Sequence, residues 1–342
     1  MNRRQEHRDS DRGDYTCNSH VNELNRLDAI LVKKFTQHVS IITKIDTFKD
    51  SLYYLRVNSN SNVKGLVLEG GAMRGLFTAG ILDVLMENNV VFDKAAGVSA
   101  GAAFGCNFKS HQIGRAIRYN VNYASDWRYK SFRSLLLTGD LYGADFCYRK
   151  MPFELDIFDT ETFKNDPLEF YAVATDVETG ETVYHLLTDG GEEDMLWIQA
   201  SASMPLASRV VNINGRKLLD GGISDSIPLE FMEKCGCNKN LVILTQPMEY
   251  TKHKYKHFTA IKAALHKYPA LIKGLDERPA MYNAQTAYVK VREDEGSAFV
   301  LRPPHALNIG PLERNPDELR RVYNTCRELA QSKIGEIIDF LN

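Results

Sequence analysis

The chain has 342 residues, 44% apolar and 25% charged, enough to bury one large core or two modest ones and unlike a chain disordered throughout. A formal net charge of -2 excludes the strongly basic balance of a general nucleic-acid binder, so any basic surface is local. Six irregularly spaced cysteines are too few for a disulfide framework and read as reduced thiols, and Cys235-Gly-Cys237 lacks the second pair a zinc site needs.

Residues 1 to about 25 contain no Leu, Ile, Val or Phe before Val21, the composition of a disordered tail. The arginine-rich start is not followed by the apolar stretch of a signal peptide, and segment 29–45 is too broken by Lys33, Lys34 and Lys44 to span a bilayer. The expectation is a cytoplasmic protein. Apolar residues then recur at three and four from Leu27 to Tyr54, a helical spacing, before the polar break at 57–62. Residues 1–62 are therefore read as an extension, partly disordered and partly helical.

From there strands and helices alternate. Residues 64–69 read as a buried strand, 76–86 as a helix, the segment ending at Ala96 as a second strand and 170–174 as a third. A helix over 193–203 stops before Pro205, a hairpin over 210–219 turns at Asn214-Gly215, and 241–244 is another strand. Such alternation favours a mostly parallel sheet covered on both faces, a core of 63–245. Residues 246–342 differ in kind: a basic stretch at 252–273, a strand at 298–301 and a long helix started by Asn315-Pro316, with Glu318 placed for a capping box. The basic stretch, with Phe258, Ile261, Leu265 and Tyr268 beside its lysines, is a candidate for peripheral membrane contact; the alternative is a solvated basic face over an apolar stripe packed on the core.

Three glycine-rich pieces carry chemistry. Gly97-Val98-Ser99-Ala100-Gly101 reads as strand, sharp turn and helix, which exposes a serine hydroxyl at a strand end. Glu69-Gly70-Gly71-Ala72-Met73-Arg74-Gly75 leaves a strand and opens a helix, with backbone N–H groups free to face an anion. Asp220-Gly221-Gly222 lets an aspartate approach another loop closely, as a base serving a serine must.

Together these pieces, with 174–181 and 200–205, resemble the patatin-like phospholipase family over about residues 64–245. The resemblance implies a three-layer α/β/α hydrolase core with a mostly parallel sheet and a mainly helical C-terminal appendage. It implies a lipid acyl hydrolase of phospholipase A type with Ser99 as nucleophile, Asp220 as base and the N–H groups of Gly70, Gly71 and Ala72 as oxyanion hole. Arg74, Gly75, Gly97, Gly101, Gly221 and Gly222 complete the site loops. The expected partner is an acyl lipid or phospholipid; no cofactor, metal or nucleic acid is expected. Ala72 replaces a glycine of the family pattern and excludes positive φ more strongly. Three alternatives stay open: a catalytically silent lipid-binding scaffold, a small-ester or thioester hydrolase, and a Ser-Asp-His triad drawing on His253, His257, His266 or His305.

Overall fold

The computed structural model describes residues 62–342, so the readings made of 1–61, including the helical spacing at 27–54, lie outside the described residues. Eight strands form one sheet: β1 (Lys64–Leu68), β2 (Lys94–Val98), β3 (Glu169–Asp176), β4 (Thr182–Leu187), β5 (Val211–Ile213), β6 (Arg216–Asp220), β7 (Lys239–Ile243) and β8 (Ala298–Leu301). Their order is β5-β6-β3-β2-β1-β7-β8, with β4 also on β3. The run from β3 to β8 is parallel, and β4, β5 and β6 add antiparallel pairs. The helices are α1 (Gly75–Glu87), α2 (Ala100–Lys109), α3 (Arg115–Asn122), α4 (Phe132–Thr138), α5 (Thr160–Asn165), α6 (Glu192–Ser201), α7 (Leu229–Lys234), α8 (Phe258–Ala264), α9 (Pro269–Asp294) and α10 (Pro316–Leu341).

Strand residues alternate between two cores, as the period of two demands. Leu66, Leu68, Leu241 and Ile243 join α1, α2 and α10 on one face. Val67, Val98, Val173 and Val242 join α7 and α9 on the other. The C-terminal hundred residues are thus woven into the layers: β8 extends the sheet, while α9 and α10 cover opposite faces.

Several expectations shift in detail. β2 runs on to Val98, two residues past the expected end, because Gly97 and Val98 keep pairing with Ala172 and Val173. Asn214 and Gly215 both take positive φ, 49° and 82°, as a two-residue hairpin turn requires. At the start of α10 the Asn315 side chain accepts the Asp317 N–H at 2.9 Å, but the capping box does not form. Glu313, not Glu318, accepts the Asn315 N–H at 2.8 Å, and Glu318 pairs with Arg321. In the basic stretch Tyr255, Phe258, Ile261, Leu265 and Tyr268 pack against Val177, Leu219 and Ile223. Its apolar stripe therefore faces the protein interior. No helix among the described residues is long and apolar enough to cross a membrane.

The α1–α10 contact depends on one missing side chain. A Cβ on Gly80 would lie 2.4 Å from Cys326 Sγ and 2.6 Å from the Tyr323 carbonyl. Gly80→Val is expected to destabilise by about 2 kcal/mol in denaturant unfolding. Gly335→Ala, in the same α10 but facing open space, should leave the midpoint unchanged or slightly raised.

Candidate active site

β3 offers one edge to two strands. β4 occupies the other edge along residues 170–175, so β2 and β6 must lie end to end on this one. β2 arrives parallel and pairs Val98 with Val173; β6 arrives antiparallel and pairs Asp220 with Ala174. The residue after Val98 and the last residue of β6 therefore meet where the two strands abut. Ser99 cannot continue the ladder, because Asp220 holds the next rung.

The chain leaves the sheet there through a strained turn. Ser99 has φ 56° and ψ -119°, a conformation costly for a side-chain-bearing residue, and α2 begins at once. Its N–H donates to the buried Ser201 Oγ at 2.9 Å, which anchors the turn to α6. From the neighbouring strand, the glycine loop folds over the serine. A Cβ on Gly70 would stand 2.8 Å from Ser99 Cβ, so only glycine permits this approach. Ala72 adopts φ 48°, the left-handed region its methyl group disfavours. Gly70, Gly71, Ala72, Arg74 and Gly222 line the same cavity as Ser99 and Asp220. Gly75, Gly97, Gly101 and Gly221 lie outside that lining, at close contacts between elements.

Asp220 is 1% exposed. Its Oδ1 accepts the Gly222 N–H at 2.8 Å, closing the turn. Oδ2 is buried without a hydrogen-bond partner among the described residues, and the Ser99 side chain lies close enough to the carboxyl to pull its pKa down. Burial is the larger influence and pushes this carboxyl above its usual range, against the opposing pull of Arg278, Ser99 and the Gly222 N–H.

Three cations line the cavity with the pair. Arg278, from α9, donates to the Gly222 carbonyl at 2.5 Å and to Tyr255 Oη at 2.6 Å. Lys252 lies over the Tyr282 ring, 4.4 Å from its centroid, and burial together with repulsion from Arg278 pushes its pKa down to about 8. Arg74 Nε is buried without a hydrogen-bond partner among the described residues. None of the three forms a salt bridge among those residues. Glu69, beneath the loop, accepts the Thr245 N–H at 2.6 Å and the Tyr282 hydroxyl at 2.8 Å, which fixes where β1 ends.

The cavity holds about 530 Å³, the size of a small-molecule site. Beside the cationic end, Tyr119, Tyr129, Tyr148, Met151 and Ile198 line an apolar end. Cys106, a residue of α2, also lines this end, its thiol pushed up to about 12 by burial. His253, His257, His266 and His305 are exposed and do not line the cavity. Asp176 accepts the N–H groups of Glu178 and Thr179, a local backbone role. His111 faces Asp166 at 2.7 Å, and His185 stacks on Trp197. Among the described residues no cluster of His, Cys, Asp or Glu could hold a metal. Sequence reasoning missed Lys252, Arg278 and Ser201: nothing local distinguishes one arginine in a mixed-charge helix, and the lysine belongs to a stretch that reads as solvated.

A mostly parallel sheet between helical layers, with a serine turn at the strand ends under a glycine loop, defines an α/β protein of patatin type. The chain belongs to the patatin-like phospholipase family through residues 66–232, which match the family model described as Patatin-like phospholipase. Residues 268–342 match a model described as a domain of unknown function, DUF6363. Uncharacterized protein YjjU of Escherichia coli (strain K12) is 28% identical over 288 residues, 80% of this chain and 78% of that one. Lysophospholipase NTE1 of Kluyveromyces lactis is 29% identical over 202 residues, 57% of this chain but only 13% of the relative. Among solved structures, VipD from Legionella pneumophila aligns with a TM-score of 0.37 at 13% identity, covering 80% of this chain and 67% of that one.

Proposed function

We propose that the chain is a lipid acyl hydrolase working through a Ser99–Asp220 dyad. The observation that carries this reading is the buried Asp220 carboxyl, its Oδ2 without a hydrogen-bond partner among the described residues and the Ser99 side chain close enough to lower its pKa. An ordinary aspartate is a feeble base for a serine; one whose pKa is raised by burial binds the serine proton better. Ser99 Oγ attacks the ester carbonyl carbon while its proton passes to Asp220. The charge that develops on the carbonyl oxygen is met by the N–H groups of Gly70, Gly71 and Ala72, worth a few kcal/mol when preorganised. The leaving alcohol takes the proton from Asp220, and water then releases the acyl group from Ser99 by the same route. The apolar end of the cavity suits an acyl chain, and Arg74, Lys252 and Arg278 suit an anionic group beside the ester.

A fluorophosphonate probe should label the wild type and not Ser99→Ala; a folded wild type that does not label contradicts the reading. Asp220→Asn should lower kcat by roughly 10²- to 10⁴-fold, the usual worth of a general base. The same substitution should raise the melting temperature at neutral pH. A carboxyl whose folded pKa is raised favours the folded state when protonated and loses that benefit as pH rises through the raised value, so a neutral amide removes the cost.

The pH profile follows with a defined sign. The base must be ionised, so kcat/KM should fall with decreasing pH along a limb above the ordinary carboxylate range. Arg278→Gln removes the leading influence that holds this pKa down and should move the limb to higher pH. A limb that stays in place would contradict the assignment.

A further inference from the structure

Helix α4 (Phe132–Thr138) is inside out. Its buried side chain is a serine, Ser134, while Phe132, Leu136 and Leu137 are 69, 86 and 64% exposed. The orientation is held by polar contacts. The Ser134 N–H donates to Ser131 Oγ at 2.8 Å, Ser134 Oγ donates to the Asp140 carbonyl at 2.8 Å, and Ser131 Oγ donates to the Trp127 carbonyl at 2.7 Å. These bonds keep the polar face inward and the apolar face in water, the reverse of an ordinary surface helix.

The helix stands beside the cavity. The excursion that carries it is closed at its base by the Lys130–Tyr142 bridge and by the Ser131 N–H on the Leu141 carbonyl at 2.9 Å. Leu141 in turn donates its N–H to the Ala207 carbonyl at 2.7 Å, and Tyr129, Leu141, Tyr142 and Ala207 all line the cavity. Leu206, next to Ala207 in the chain, is held at φ 66° and is 51% exposed. Across 127–150 the exposed charges free of ion pairs among the described residues are Arg133, Arg149 and Lys150, against one carboxylate, Asp145.

We infer that this patch is a docking surface for an anionic lipid membrane, which seats the neighbouring cavity against the layer that holds the substrate. The inference rests on the lipid acyl hydrolase reading of the cavity. Three large apolar side chains on one helix are the kind of patch that marks an interaction site. Arg133, exposed on the helix itself, and the surplus of exposed cations over carboxylates along 127–150 favour anionic headgroups, and continuity with the cavity lining favours a lipid layer over a second copy of the chain.

The test is flotation of the full chain with phosphatidylcholine vesicles, with and without phosphatidylglycerol. The wild type should float with the anionic vesicles. Leu136→Ser/Leu137→Ser should partition roughly tenfold less, since both side chains lose their apolar insertion. Arg133→Glu should weaken flotation with the anionic vesicles and leave that with the neutral ones unchanged. Both variants should match the wild type in melting temperature, fluorophosphonate labelling and turnover of a short-chain soluble ester. The inference is overturned if the wild type floats with neither vesicle, or if the double variant floats as well as the wild type. It is also overturned if the wild type sediments as a dimer that the double variant dissociates without change in flotation. Flotation as expected with no labelling of any form would overturn the hydrolase reading and leave the docking surface standing.

Discussion

Two strands running in opposite directions finish on one edge of β3, and the architecture of the cavity depends on that junction. Val98 pairs with Val173 and Asp220 with the next residue, Ala174, so more than a third of the chain's length is closed into a single rung-to-rung contact. The strained backbone of Ser99 follows from it, because the serine has no place in the ladder and must turn away. The burial of Asp220 follows too, since it sits where the end of β6 meets the end of β2 against β3. β1, next to β2, then delivers the glycine loop to the same end of the sheet. Parallel strands gather their ends in this way, and ligand sites of open α/β sheets collect there.

The groups so gathered are individually unfavourable. Ser99 and Ala72 hold positive φ, Asp220 is a buried carboxyl raised above its usual range, and Lys252 is a half-buried ammonium lowered to about 8. Each costs stability and persists because the surroundings over-determine it. The surroundings are two continuous cores, one on each sheet face, and the C-terminal segment belongs to both. Arg278 shows this linkage in one side chain: it belongs to α9, it fixes the Gly222 carbonyl, and it sets part of the electrostatics around Asp220.

Much of this was legible in the sequence, for reasons of short range. Short apolar runs bounded by charged or glycine-rich turns marked the strands, and Asn214-Gly215 marked its hairpin, because both signals act over a few residues. Ser99, Asp220 and the glycine loop stood out because close backbone approach demands small residues in particular places. Lys252 and Arg278 were not legible: their place beside Asp220 comes from the packing of α9 across the sheet, a contact between residues far apart in the chain. The apolar stripe at 258–268 had the pattern of an interfacial helix and the fate of a core one, and periodicity cannot tell which surface a stripe will meet. Conversely, α4 is too short for a periodic signal, and its inverted orientation comes from hydrogen bonds of Ser131 and Ser134.

The central claim is that Ser99 and Asp220 act as one unit, set by the β2–β6 junction. A double-mutant cycle tests it most directly: turnover of an acyl ester by the wild type, Ser99→Ala, Asp220→Asn and the double variant, each checked for folding. Residues that act as a unit lose their effect together, so the double variant should be no slower than Ser99→Ala alone. Losses that multiply would mean the two side chains contribute independently, and would contradict the dyad.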